Sequence, residues 1–159
     1  MPSRRSQIEM TPEEQEEFLA AGWTLQVASI GTQGYPHLVA MWYGMIDGEI
    51  HFTTFAKAQK LLNLERDPRI TCMLESGEQY QELRGLVVEG DAEVIQGDPD
   101  LVLQVMAAIG VKRGGGDGNG DAAMMPSDVQ RKQAAKRAVV RVHAKRVISW
   151  DHNKLGGTY

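Results

Sequence analysis

The sequence predicts a mainly β protein: an antiparallel sheet curled into a barrel, with helices at its flanks. Three observations carry this. The run LRGLVVEGDAEVI sets Val87, Glu89, Asp91 and Glu93 against Leu86, Val88, Ala92 and Val94, the period-two pattern of a strand with one face in a core and one in solvent. Asp47-Gly48 stands between two apolar runs, the mark of a two-residue hairpin whose turn positions need positive φ. Strands also follow one another through hairpins rather than through alternating helices, which favours antiparallel pairing, and many strands in a small domain curl to remove their edges.

In chain order, MTPEEQEEFLAAG opens a helix: Thr11 caps it, Pro12 suits the first turn, Glu14 completes a capping box and Gly22 ends it. A first strand runs from Trp23 to Ile30, with Trp23, Leu25 and Val27 on one side. GTQGYP turns the chain into the long strand HLVAMWYGMI, which pairs with EIHFTT across Asp47-Gly48. AKAQKLLNLER is a short helix stopped by Asp67-Pro68, and RITCMLE and LRGLVVEGDAEVI are further strands. Asp98-Pro99 opens a helix through about Ile109. The glycine-rich stretch Arg113 to Gly120 breaks it and is expected to be a flexible loop. SDVQRKQAAKR begins with a Ser-x-x-Gln capping box, AVVRVHAKRVISW is the last strand, and residues 151–159 form a polar tail.

Size and composition set the bounds. A chain of 159 residues with 42% hydrophobic content suits one folding unit over residues 1–159. A net charge of -4 argues against general nucleic-acid binding, which draws on an excess of basic charge. One cysteine, Cys72, forms no disulfide within the chain, and the N-terminus lacks the apolar core of a signal peptide, so a cytoplasmic location is expected. No apolar run approaches the roughly 20 residues that cross a bilayer.

Much chemistry is excluded by what the motifs lack. His37, His51, His143 and His152 are scattered, with no HExxH and no cysteine pairs, so no metal site is expected. There is no Gly-x-Ser-x-Gly elbow and no P-loop, and Cys72 lies within an apolar strand pattern, where a buried inert thiol is the plain reading. From Arg131 to Arg146 the chain holds seven Lys or Arg and no acid, read as solvated faces in preference to an anion-binding surface. TTFAKAQKLLNLERDPR is different. Thr53, Thr54, Lys57, Lys60 and Asn63 gather at a strand end and helix start, where free backbone N–H groups and the positive dipole end favour an anion such as phosphate, although lysines on an ordinary surface helix give the same pattern.

The ordered set YPHLVAMWYGMIDGEIHFTT, AKAQKLLNLERDPRITCM and LVVEGDAEVI resembles the flavin and deazaflavin-dependent oxidoreductases, relatives of pyridoxamine 5'-phosphate oxidase with a split β-barrel fold. The resemblance runs from about Glu13 to Trp150. It rests on Gly34-Tyr35-Pro36-His37, on Lys57-x-x-Lys60-x-x-Asn63-Leu64 with Asp67-Pro68-Arg69, and on Glu89-Gly90 with Ala92-Glu93. It implies a homodimer with the cofactor in a groove between subunits. Thr53, Thr54, Lys57 and Lys60 would hold its phosphate, and Val39, Ala40, Met41 and Trp42 would lie beside its tricyclic ring.

The motif set and the ending SWDHNKLGGTY look more like the branch that uses coenzyme F420 than the branch that works with FMN. The implied reaction is hydride transfer to an unsaturated small molecule, for which the protein needs no nucleophile of its own. Tyr43, His37 and solvent are the candidate proton donors, and the catalytic residue stays open. FMN chemistry on the same fold and a cofactor-binding protein without turnover are the alternatives.

Overall fold

The computed structural model describes residues 3–112 and 126–156. The expected glycine-rich loop, 113–120, and the last tail residue, Tyr159, lie outside the described residues.

Among the described residues seven strands form one sheet, β1 (Thr24–Ile30), β2 (Pro36–Trp42), β3 (Gly44–Ile46), β4 (Glu49–Phe55), β5 (Arg69–Ser76), β6 (Arg84–Ile95) and β7 (Arg137–Asp151), in the order β2-β1-β5-β6-β7-β4-β3. Every pairing is antiparallel. The two edge strands are consecutive in the chain, separated by Tyr43 alone. The segment read as one long strand therefore pairs with β1 through its first half and with β4 through its second, and this closes the sheet into a split β-barrel.

The hairpin at Asp47-Gly48 forms as the dipeptide predicts, with φ of 51° and 76°. Gly90 is needed for another reason. It sits at a register shift between β6 and β7, and a Cβ there would stand 2.1 Å from the His143 carbonyl oxygen.

Alternation decides what faces inward. Leu25 and Val27 of β1, Ile50 and Phe52 of β4, Ile70, Cys72 and Leu74 of β5, Leu86 and Val88 of β6, and Val140 and Val142 of β7 fill the barrel. Two helices complete this core, α2 (Pro12–Ala21) with Phe18 and α3 (Gln59–Arg66) with Leu61 and Leu64. The α2 capping box forms with Thr11 and Glu14, and Gly22 is its C-cap. Burial holds the Cys72 thiol up at about 12, so it is the inert core residue expected. A short helix, α1 (Arg4–Ile8), precedes these and carries no buried residue.

A second core lies on the outer face of β7. Val102 and Val105 of α4 (Pro99–Lys112) and Ala134 of α5 (Asp128–Ala134) pack on Val139. Around this contact β4 and β7 are buried on both faces, so their burial does not alternate there.

Two expectations need correcting. Trp23 precedes β1 and is 53% exposed, so it does not share the inward face of Leu25 and Val27. The helix after β4 starts at Gln59 with Ala58 as N-cap, which leaves Lys57 in the preceding turn. The tail is held in place as far as Gly156. His152–Leu155 make a 3-10 turn, His152 packs at a tilt against Tyr80 with ring centroids 4.5 Å apart, and Lys154 donates to Glu14 and to the Glu9 carbonyl oxygen.

Candidate functional site

The pleat of β4 sends its two threonines to opposite faces. Thr54 follows Ile50 and Phe52 inward, and Thr53 follows His51 outward, toward α4. Each has its own surroundings.

On the inner side, Lys60 in the first turn of α3 donates from Nζ to Thr54 Oγ1 at 3.1 Å. No carboxylate pairs with this ammonium among the described residues, and burial lowers its pKa from the ordinary lysine value. A half-buried cation held only by a hydroxyl is short of a counter-charge. Asn63, read with this group of donors, belongs elsewhere. It is fully buried, donates to Ser29 Oγ at 3.2 Å and accepts from Gln59 Nε2 at 2.9 Å, so it fastens α3 to β1.

On the outer side, Thr53 lines a cavity of about 480 Å³ together with Ala40, Met41, Trp42, Met106, Ile109, Gly110 and Arg137. The cavity lies between the end of β2 and the ends of β4 and β7, roofed by the last turns of α4. Of the eight predicted cofactor residues, the structure gathers Ala40, Met41, Trp42 and Thr53 here. Val39 packs against the barrel core, Thr54 and Lys60 form the inner pair, and Lys57 is exposed in the turn before α3.

Arg137, Met106, Ile109 and Gly110 were not among the sequence candidates. The helix residues carry no local motif. Arg137 lies inside the basic run from Arg131 to Arg146, most of whose strand members have partners. Arg141 pairs with Glu49 and Glu93, Lys145 with Asp91, and Arg146 with Glu89. For these, a solvated, salt-bridged face is what the structure shows.

The proton-donor candidates separate clearly. The Tyr43 hydroxyl is buried and donates to the Leu19 carbonyl oxygen at 2.5 Å, and burial raises its pKa above the ordinary phenol value. It is committed to tying α2 to the barrel closure. His37, half-buried on β2, has a buried Nδ1 with no hydrogen-bond partner among the described residues. Among the described residues no group of three or more His, Cys, Asp or Glu side chains is arranged to hold a metal.

One titratable cluster stands on the outer face away from the cavity. His143 bridges Glu49 Oε1 at 2.9 Å and Glu93 Oε2 at 2.8 Å, with Arg141 beside both carboxylates. Glu93 and then Glu49 hold the His143 pKa above the ordinary 6.5, and His143 is the main cause that lowers Glu93 below 4.5. The raised histidine stabilises the fold fully below pH 6.5, and this is lost as pH rises through its folded value. Glu93 contributes above pH 4.5 and loses its part as pH falls. Thermal unfolding from pH 5 to pH 9 should therefore show the parent losing more stability than His143→Gln across the neutral range. Parallel curves for the two proteins would show that the bridge contributes nothing.

Residues 11–151 match the family model described as pyridoxamine 5'-phosphate oxidase. Among solved structures, a conserved hypothetical protein from Mycobacterium tuberculosis, Rv2991, is 38% identical, with 99% of this chain and 95% of that chain covered and a TM-score of 0.85. An F420 reductase is 22% identical, with 86% and 98% covered and a TM-score of 0.61. The heme storage protein HutZ of Vibrio cholerae is 19% identical, with 88% and 96% covered and a TM-score of 0.63. The last two share the fold with this chain. No curated protein matches it.

Proposed function

Since this chain belongs to the pyridoxamine 5'-phosphate oxidase family, we propose that it is an oxidoreductase that uses coenzyme F420 to pass a hydride to an unsaturated small molecule. The observation that carries the reading is the pairing of an apolar cavity beside Trp42 with a cation, at the end of β4, that has no counter-charge among the described residues. A cofactor phosphate would supply the charge that Lys60 is short of, with Thr54 beside it and Lys57 in the preceding turn as further donors. Ala40, Met41 and Trp42 would flank the ring, while Val39 supports them from the barrel core. The likeness in fold to an F420 reductase supports this choice of cofactor.

When bound, a deazaflavin supplies the hydride chemistry. What remains for the chain is to bind, to orient and to keep water out. Met41, Met106 and Ile109 make the cavity wall apolar, which suits a planar conjugated substrate. Tyr43 is not free to give a proton, which leaves His37 or solvent.

The reading includes a homodimer. The outer face of β1, β2 and β5 presents Ala28, Leu38 and Met73 around a shallow depression, and Leu38 is 64% exposed, an apolar surface that a second copy would cover. It also includes a cytoplasmic setting, which suits a chain whose only cysteine is a buried free thiol. Among the described residues no helix is long and apolar enough to cross a membrane.

Titration of the purified apo protein with F420 and with FMN, at known oligomeric state by sedimentation, tests the proposal. The expected result is a dimer that binds F420 more tightly than FMN and oxidises reduced F420 only when an unsaturated acceptor is added. A yellow protein with a flavin band and no affinity for deazaflavin would select the FMN reading. Tight F420 binding without turnover on any acceptor would select a binding protein.

A further inference from the structure

Strand β7 carries Arg137, Arg141, Lys145 and Arg146, and all but the first stand beside acids on β4 or β6. The register explains the exception. Opposite Arg137 on β4 is Phe55, and β6 ends at Ile95, opposite Val139, before it can bring an acid alongside. Among the described residues no carboxylate pairs with Arg137. Its guanidinium carbon lies 4.4 Å from the centroid of the Phe55 ring, and the side chain lines the cavity with Thr53, Trp42 and Met106. Packing over Phe55 restricts the guanidinium and so lowers its cost of ordering. A guanidinium fork with no counter-charge among the described residues, on the wall of a mainly apolar cavity, has its donors available to a ligand.

We propose that Arg137 is the anion-recognition residue of this cavity, binding the phosphate or carboxylate of a conjugated molecule whose apolar body lies between Trp42 and Met106. This rests on the cavity being the ligand site, as the proposed function holds, but not on the identity of the cofactor. It is distinct from Lys60: Arg137 and Thr53 serve the outer face of β4, Lys60 and Thr54 the inner one.

The two sources of such an anion are separable by matched probes. Apo protein, Arg137→Gln and Arg137→Lys are titrated, by tryptophan fluorescence and calorimetry, with FMN against riboflavin and with cinnamate against cinnamamide. The expected result is that Arg137→Gln loses at least tenfold in affinity for one anionic member while the neutral member of that pair binds as before, and that Arg137→Lys recovers part of the loss. Loss on FMN assigns the anion to a cofactor phosphate; loss on cinnamate assigns it to a substrate carboxylate. The proposal is overturned if the parent prefers neither anionic probe to its neutral match. It is overturned equally if Arg137→Gln binds both anions like the parent, or loses neutral and anionic probes alike. A parent that binds neither FMN nor F420 but prefers cinnamate to cinnamamide through Arg137 would sink the redox reading and leave this one standing.

Discussion

Phe52→Ala should destabilise the protein by about 3–5 kcal/mol, the range for truncating a buried aromatic side chain in a close-packed core. Phe52 is fully buried at the middle of β4, and its strand is held between β7 on one side and β3 on the other. Removing the ring leaves a void that the surrounding strands cannot fill, because each is fixed by its own ladder. Against a total stability of about 5–15 kcal/mol this is a large fraction, and at this chain length it corresponds to a fall in Tm of roughly 6–20 °C. Thr53 and Thr54 follow Phe52 directly, so the loss should reach the site as faster amide exchange at both threonines. Denaturant and thermal melts check the magnitude. A change below about 1 kcal/mol would show that the barrel repacks around position 52.

Lys60→Ala should weaken binding of a phosphate-bearing cofactor by about 1.5–3 kcal/mol, the scale of a hydrogen bond to a charged group, or roughly 10- to 150-fold in Kd. The apo fold should melt at the parent's temperature or slightly above, because burial lowers the Lys60 pKa and the ammonium therefore costs the unliganded protein energy. That combination is diagnostic: a lysine kept for stability would show the opposite. The loss should shrink as salt is added, since ions screen the attraction of the native ammonium for phosphate. Riboflavin, which lacks the phosphate, should bind parent and variant alike. Lys57→Ala should cost less, because Lys57 is exposed in the turn before α3. If Lys60→Ala binds F420 and FMN like the parent at every ionic strength, Lys60 is not a phosphate ligand.

Much of the architecture was determined by local sequence alone. The capping boxes at Thr11 and Ser127, the turn at Asp47-Gly48 and the alternation of β6 each act over a few residues, and all four formed as read. Caps and tight turns satisfy backbone groups within one turn of chain, so they depend little on what packs later. The resemblance to the split-barrel family was legible in the same way, in an ordered set of short motifs. Tertiary structure decided three things. It interrupted the long strand at Tyr43, because closing the barrel requires its two halves to pair with different neighbours. It buried both faces of β4, because α4 covers the side that alternation by itself would leave in water. It also separated the predicted phosphate donors: the pleat turned Thr53 and Thr54 apart, the late start of α3 left Lys57 outside the helix, and a buried bond to Ser29 claimed Asn63. Arg137 joined the cavity for a reason no local motif contains. Its place depends on where β6 ends relative to β7, and that register is set by the barrel as a whole.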